Sequence, residues 1–319
     1  MAGWRWAFFI NVPIGLAMLA IGRRVLDREA AEGLRAGADY LGALLLVGGL
    51  GATIVAVVDP DRRSVAVLAV VLLAGFVARQ LRADRPLLQL RGLMSRSVVG
   101  ANLVLAILAG SMLGFQYLVT LFFQSVLHYT PAQSGVAILP IACGIGFLSL
   151  VVYPRISQRT GPRVLVVPGM LIVALGMFLL VFAPIDASYG VDVLPSMVLF
   201  AIGGGIAIPA IMSTAMSATT PDAAGAASGL LSTSQQVGSA IGLAVLSSIA
   251  AATTSRLASH GSTEMDATVS GYHLGWAIGI ALLVGAAVIA ASTLRPKKEP
   301  KLSPATPQSA ELCSSANPS

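Results

Sequence analysis

The side chains best placed to do chemistry in this 319-residue chain are uncharged amides and hydroxyls within long apolar segments. At ~100° per residue, a helix over 98–124 would carry a strip of such residues ~80° wide on one face. The strip comprises the polar residues Asn102, Gln116, Thr120 and Gln124, with Ala106, Ala109 and Leu113 between the first two. Because an amide facing lipid is costly, this face must contact protein or a water-filled cavity. We favour a cavity wall that hydrogen-bonds to a solute; the alternative is hydrogen bonding between helices.

A second polar strip is predicted on a helix over 225–251. Its members are Ser228, Ser232, Gln235, Ser239 and Gly242. Here we favour close helix packing, because small residues four apart, as in 225–229 and 238–242, let two backbones approach. Gln235, Gln236 and the preceding Ser213 remain cavity candidates.

Two glycine patterns point to packing. The run 203–205, followed by Pro209, predicts a bend or a tight crossing in a helix over 193–217. Gly271, Gly275 and Gly279, spaced four apart, predict a packing face on the last helix.

Enzyme chemistry is not indicated. The chain contains no GxxxxGK[ST], CxxC, HExxH or GxSxG signature, so we predict no catalytic residue, no enzyme activity and no cofactor. Cys143 lies in an apolar segment and Cys313 in the tail, which predicts no disulfide. His128, His260 and His273 lack metal-ligand spacing and are expected to be solvated near helix ends, so no metal site is predicted.

The elements that hold these side chains are predicted to be transmembrane helices. Hydrophobic residues make up 56% of the chain and charged residues 11%, and the mean hydropathy is +0.83. Since a bilayer needs ~20 apolar residues per helix, the sequence predicts an all-α integral membrane protein. We expect nine transmembrane helices, at 4–21, 40–58, 64–80, 98–124, 132–152, 163–183, 193–217, 225–251 and 272–294.

The basic residues predict the orientation of these helices. All but four of the twenty Lys and Arg fall in one alternate set of loops and in the tail; the exceptions are Arg5, Arg62, Arg63 and Arg256. The positive-inside rule makes that set cytoplasmic, which predicts a multi-pass protein of the cell membrane with its N-terminus outside and its C-terminus in the cytoplasm. The pI of 9.7 then reflects contact with anionic lipid, and no nucleic-acid partner is expected.

Residues 4–15, from Trp4-Arg5-Trp6 through Asn11-Val12-Pro13 to Gly15, resemble the sixth helix of the fourteen-helix drug:proton antiporters of the major facilitator superfamily. Further segments carry the same resemblance: Arg85-Pro86-Leu87-Leu88, Leu121-Phe122-Phe123-Gln124, Pro131-Ala132-Gln133-Ser134-Gly135, Leu139-Pro140, Ala226-Ala227-Ser228-Gly229-Leu230 and Gln235-Gln236-Val237-Gly238. The resemblance covers residues 3–294.

The resemblance implies a domain order. Residues 1–21 would be the last helix of an otherwise missing N-terminal half, 22–97 a cytoplasmic loop with two inserted linker helices, and 98–294 the complete C-terminal six-helix half. The tail, 295–319, is rich in Pro and Ser and is predicted to be disordered.

The resemblance also implies site residues. The helices over 98–124 and 193–217 would line a central cavity, and the helix over 225–251 would pack between the halves. Residues 154–163 resemble a cytoplasmic gating loop of the pattern Gly-x-x-x-Asp-Arg-x-Gly-x-Arg, of which Arg159, Gly161 and Arg163 are present, with Arg155 as a further candidate. Pro154 and Gln158 replace the glycine and the acid, and a solvated basic loop is the alternative.

The expected function is that of a membrane transporter resembling a proton-coupled multidrug efflux antiporter. The partners would be the lipid bilayer, a small amphipathic or cationic solute, protons and a missing N-terminal half. Yet no Asp or Glu lies in the middle of a predicted span, where proton coupling usually needs one. The alternative is an inactive or assembly-dependent membrane fragment without independent transport.

Overall fold

The computed structural model describes residues 9, 11–25, 40–58, 63–82, 96–217, 219 and 224–294. These residues are almost entirely helical, and no strand occurs among them. The chain divides into two compact units, Met1–Leu87 and Leu88–Ser319. The first residues of the first predicted span, most of the loops at 22–39 and 81–97, and the tail 295–319 lie outside the described residues.

The first unit contains three helices, α1 (Asn11–Val25), α2 (Tyr40–Val58) and α3 (Arg63–Arg82). The basic Arg23 and Arg24 lie in the last turn of α1, where the helix dipole favours a positive charge. α2 packs against α3 at Gly49, where an added Cβ would lie 2.7 Å from Leu73 Cδ2. The predicted pair of adjacent apolar helices is therefore present, with apolar stretches at Leu44–Thr53 and Ser64–Arg79.

The second unit is a helical bundle. Its helices are α4 (Arg96–Ser125), α5 (Pro131–Phe147), α6 (Tyr153–Thr160), α7 (Pro162–Leu180), α8 (Leu194–Ser217), α9 (Ala224–Ser259) and α10 (Glu264–Thr293). Two π-helical segments, Leu148–Val152 and Tyr189–Val193, join α5 to α6 and precede α8. The bundle supplies six continuous segments long and apolar enough to cross a membrane, which agrees with the predicted six-helix unit.

Packing in the bundle centres on α4 and α8. α4 lies along α9 and α10, while α8 lies along α7 and also contacts α5 and α4. The core between them is apolar and aromatic: Phe115, Phe200 and Trp276 are at most 1% exposed. Phe115 stacks on Phe200 with ring centroids 4.5 Å apart, and its ring is also 6.1 Å from that of Trp276.

The predicted glycine contacts are present at most of the expected positions. Gly203 of α8 meets α7, with an added Cβ 2.5 Å from Val173 N. Gly271 faces Ala250, Gly275 faces Leu118 and Gly279 faces Met177, so the spaced glycines of α10 form a packing face. Each of these glycines admits a neighbour where a side chain would not fit.

The ends of the last two helices differ from the prediction. The sequence predicted a loop over 252–271, but α9 continues to Ser259 and α10 begins at Glu264. Thr263 caps α10 by accepting a hydrogen bond from the Asp266 amide at 3.1 Å. The prediction was wrong here because the length of an apolar segment indicates only the part of a helix that lies inside the bilayer. A capped helix can continue beyond the bilayer.

Residues 154–163 were predicted as a loop and are mostly helical. α6 covers 154–160, and Gly161 then separates α6 from α7 with φ 80° and ψ 147°. A side chain would be strained in that conformation, so glycine suits the junction. The π-helical turn before α6 precedes Pro154, whose missing N–H cannot bond to the Leu150 carbonyl.

The prediction that all three histidines are solvated is wrong for His273. It lies inside α10, half-buried, with Nε2 3.1 Å from the Ala183 carbonyl oxygen and its ring 5.8 Å from that of Trp276. His128 and His260 are exposed, as expected. Cys143 is a free, exposed thiol on α5, and Cys313 lies outside the described residues.

Candidate functional site

A cavity of about 180 Å³ lies between α4, α5, α8 and α9. Its lining is mostly apolar, with three uncharged polar side chains and no formally charged residue. The lining residues are Leu105, Leu108, Ala109, Met112, Leu113, Gln116, Ile141, Ile145, Phe200, Ile208, Gln235 and Ser239.

The polar part of the lining comes from two helices. α4 contributes Gln116, and α9 contributes Gln235 and Ser239. All three side chains are half-buried. Among the residues that the structure describes, the amides of Gln116 and Gln235 form no side-chain hydrogen bond, so each can donate to and accept from a solute.

A close crossing of α4 and α9 joins the two helices that carry these polar groups. A Cβ added at Gly110 would lie 2.5 Å from the Gly238 carbonyl oxygen, and one added at Gly238 or Gly242 would overlap the α4 backbone. Near the start of α4, Asn102 and Ser234 form a hydrogen bond of 2.8 Å between the same two helices. The small residues of α9 thus permit the close approach of the two helices that carry Gln116, Gln235 and Ser239.

The apolar part of the lining is positioned by packing against glycine. Met112 and Ile145 both reach Gly204 of α8, where an added Cβ would lie 2.7 Å from Met112 Cε and 3.4 Å from Ile145 Cδ1. Phe200 is fixed by its stacking on Phe115. This part of the lining is therefore a continuation of the bundle core.

The lining of the cavity includes two of the seven predicted cavity residues, Gln116 and Gln235. Asn102 is 8% exposed and is engaged by Ser234 and by the Val98 carbonyl, 2.8 Å from its Nδ2. Thr120 donates to the backbone oxygen of Gln116 at 2.7 Å. Ser213 is half-buried away from the lining, and Gln124 and Gln236 are exposed.

The predicted gating residues lie around the junction of α6 and α7. Arg155 and Arg159 are exposed on α6, and Arg155 Nη1 donates to the Val151 carbonyl oxygen at 2.6 Å. Gly161 forms the junction, and Arg163, the second residue of α7, is half-buried. The cavity lining includes none of these four residues.

Sequence reasoning missed most of the apolar lining. Leu105, Leu108 and Met112 precede Gln116 by eleven, eight and four residues, so helical spacing could have placed them beside it. Ile145, Phe200 and Ile208 come from other helices, and no pattern in the sequence relates them to Gln116. Within the described residues, no group of three His, Cys, Asp or Glu side chains could hold a metal ion.

Comparison with known proteins agrees with this architecture. The family model of the Major Facilitator Superfamily matches residues 1–243. A puromycin resistance protein of Streptomyces alboniger is 35% identical over 298 residues, which are 90% of this chain and 59% of that protein. A cephamycin export protein of Amycolatopsis lactamdurans is 34% identical over 272 residues, 81% of this chain and 56% of that protein.

A multidrug resistance protein B homolog of Mycobacterium tuberculosis is 31% identical over 259 residues, 77% of this chain and 47% of that protein. The chain therefore spans about half to three fifths of the length of the curated relatives it matches.

Proposed function

This chain belongs to the Major Facilitator Superfamily as a multi-pass membrane protein, and we propose that it forms part of a proton-coupled exporter of small amphipathic molecules. The observation that carries the proposal is the cavity in which amides of α4 and α9 face an apolar wall. Such a combination binds solutes that have both hydrocarbon surface and hydrogen-bonding groups.

The lining favours a solute class rather than one compound. Leu, Ile, Met and Phe side chains would bury apolar surface, while Gln116, Gln235 and Ser239 would orient polar groups. A cationic solute would meet amide oxygens here instead of a carboxylate. The names of these relatives, which refer to puromycin, cephamycin and multidrug resistance, support export of such molecules.

The size of the cavity bears on how transport would occur. Pockets for drug-sized ligands enclose roughly 300–1,000 Å³, whereas this cavity has about 180 Å³. It would hold part of a solute, and alternating access needs a second half that rocks against this bundle. A membrane protein that transports only after assembly with such a partner is therefore the alternative function.

Proton movement and orientation also belong to the proposal. The described acidic residues of the second unit, Asp186, Asp192, Glu264 and Asp266, lie near the ends of its helices and not in the lining. We place the proton-carrying group outside this cavity, and we assign a carrier role without enzyme chemistry. The N-terminus would face outward and the C-terminus the cytoplasm of the cell.

The test compares three substitutions of the same type. In cells lacking their own drug exporters, Gln116→Leu and Gln235→Leu should each raise accumulation of a fluorescent amphipathic dye, because the cavity loses a polar partner. Gln236→Leu is the matched control, since Gln236 neighbours Gln235 but is exposed outside the lining. Membrane abundance is measured for every variant.

Dye accumulation unchanged by Gln116→Leu, at equal membrane abundance, would contradict the cavity assignment. If the unaltered chain exports no dye until a separately encoded helical half is co-expressed, the assembly-dependent alternative holds.

A further inference from the structure

Pro209 interrupts the backbone hydrogen bonding of α8. Proline has no amide hydrogen, so the carbonyl four residues earlier, that of Gly205, loses its usual backbone donor. A carbonyl without a partner is costly inside a membrane, where water does not replace the missing donor. The environment of the Gly205 carbonyl therefore decides how freely α8 can bend at Pro209.

A side chain of another helix supplies the missing donor. The Ser149 hydroxyl, from the π-helical turn after α5, donates to the Gly205 carbonyl oxygen at 3.1 Å. Other hydroxyls of the bundle, such as those of Thr120 and Ser134, bond to the carbonyl four residues earlier in their own chain segment. Ser149 instead reaches across to α8.

The two backbones are in direct contact at this point. A Cβ added at Gly205 would lie 2.6 Å from Leu148 Cβ and 3.2 Å from the Ile145 carbonyl oxygen. Ile145 and Ile208, on the two sides of this contact, both line the cavity. A change in the bend of α8 would therefore move one wall of the cavity relative to the other.

We propose that Ser149 is a positioning residue that replaces the amide missing at Pro209 and thereby fixes the bend of α8 and the width of the cavity between Ile145 and Ile208. The proposal rests on the proposed function only in taking this cavity as the solute site. This hinge, meaning the bend of α8 at Pro209 together with the Ser149 hydrogen bond that fixes it, is a property of the bundle and can be measured without transport.

The experiment is a double-mutant cycle between Ser149 and Pro209. The readout is the rate at which a small water-soluble maleimide modifies Ile208→Cys, in the full chain in lipid vesicles with Cys143→Ser and Cys313→Ser. Ser149→Ala should change this rate roughly threefold or more, because α8 loses the hydrogen bond from Ser149 to the Gly205 carbonyl. In a Pro209→Ala background the restored amide bonds to Gly205, so Ser149→Ala should change the rate by less than about 1.5-fold.

Two further variants separate the hinge from simple loss of stability. Ser149→Thr keeps a hydroxyl and should label at close to the original rate. Ser196→Ala is the matched control, since Ser196 also donates to a glycine carbonyl of another helix, that of Gly176, at 2.6 Å. The residue four positions after Gly176 is Leu180, which has an amide hydrogen, so no proline removes the backbone donor of that carbonyl. The effect of Ser196→Ala should be the same whether Pro209 is present or has been replaced by alanine.

Equal effects of Ser149→Ala in both backgrounds, or no effect in either, would overturn the proposal. So would a Ser149→Thr variant that labels like Ser149→Ala. Where Pro209→Ala does not fold, Pro209→Gly restores the same amide. Coupling in the labelling rates without any dye export would leave the hinge standing and count against the proposed function.

Discussion

Asn102 and Gln116 share one face of α4 but have different surroundings. Asn102 is buried and hydrogen-bonded to Ser234, whereas Gln116 lines the cavity with its amide unpaired among the described residues. The two alternatives considered for the polar strip, a cavity wall and hydrogen bonding between helices, thus occur on one helix about four turns apart. They differ in that Ser234 of α9 pairs with Asn102, whereas no described side chain pairs with Gln116.

The Asn102 to Ser234 hydrogen bond should make a small, measurable contribution to the stability of the bundle. Hydrogen bonds between membrane helices contribute about 0.6 kcal/mol on average, because the separated helices also find polar partners. We expect Asn102→Ala and Ser234→Ala to show a coupling free energy of about that size in a double-mutant cycle of detergent unfolding. Thr120→Val, which removes a bond within α4, is the control and should not couple to Ser234→Ala.

Strictly additive effects of Asn102→Ala and Ser234→Ala would contradict this assignment, even if each variant alone were destabilised.

The sequence could place Asn102 and Gln116 on one face because the period of a helix is fixed. It could not say which of them would meet a partner, because Ser234 follows more than a hundred residues later. The same limit applies to Phe200 and Ile208, whose position in the lining depends on how α8 packs. Faces of helices were predictable, and contacts between distant helices were not.

At the scale of the helices, the small residues of α9 behave in two ways. Gly238 and Gly242 lie against the backbone of α4 near Ala106 and Gly110, whereas Gly225 and Gly229 have no neighbour within 4 Å of an added Cβ. The two patterns have the same spacing in the sequence. Glycine spacing therefore permits a close crossing, and the path of the facing helix determines whether one forms.

This contrast predicts opposite effects of the same substitution on α9. Gly238→Ala should lower the free energy of unfolding by about 1–3 kcal/mol, because the added methyl group overlaps the Ala106 carbonyl oxygen. Gly229→Ala should leave it unchanged or raise it by up to about 1 kcal/mol, since alanine favours the helix and meets open space. Denaturant titration in detergent micelles measures both.

A loss of stability as large in Gly229→Ala as in Gly238→Ala would show that the α4 to α9 crossing does not depend on Gly238.

At the scale of the whole molecule, the described charges of the second unit separate by end, except that Arg256 lies at the end that carries the acidic residues. Arg155, Arg159 and Arg163 surround the junction of α6 and α7. Asp186, Asp192, Glu264 and Asp266 lie at the opposite end, beside the loops between α7 and α8 and between α9 and α10. Apolar segment lengths and this charge pattern made the all-helical membrane fold predictable, since both follow from the bilayer.

Irregular backbone was less predictable. The π-helical turn Leu148–Val152 merges the predicted fifth span with the predicted gating loop into one segment from Pro131 to Thr160. The turn precedes Pro154, which lacks an amide hydrogen, and contacts Gly205 through Leu148. Only the first of these features is visible in the sequence.

The charge separation predicts which end of the bundle faces the cytoplasm. Short loops rich in Arg are retained on the cytoplasmic side, so the α6 to α7 junction should lie inside and the α9 to α10 loop outside. Gln158→Cys and Ser262→Cys place a thiol at each end without altering a charge, in a Cys143→Ser and Cys313→Ser background. A membrane-impermeant maleimide should modify Ser262→Cys in intact cells, and Gln158→Cys only after the cells are permeabilised. The reverse labelling pattern would show the opposite orientation, with Arg155, Arg159 and Arg163 at the outer surface. These residues could then have no cytoplasmic gating role.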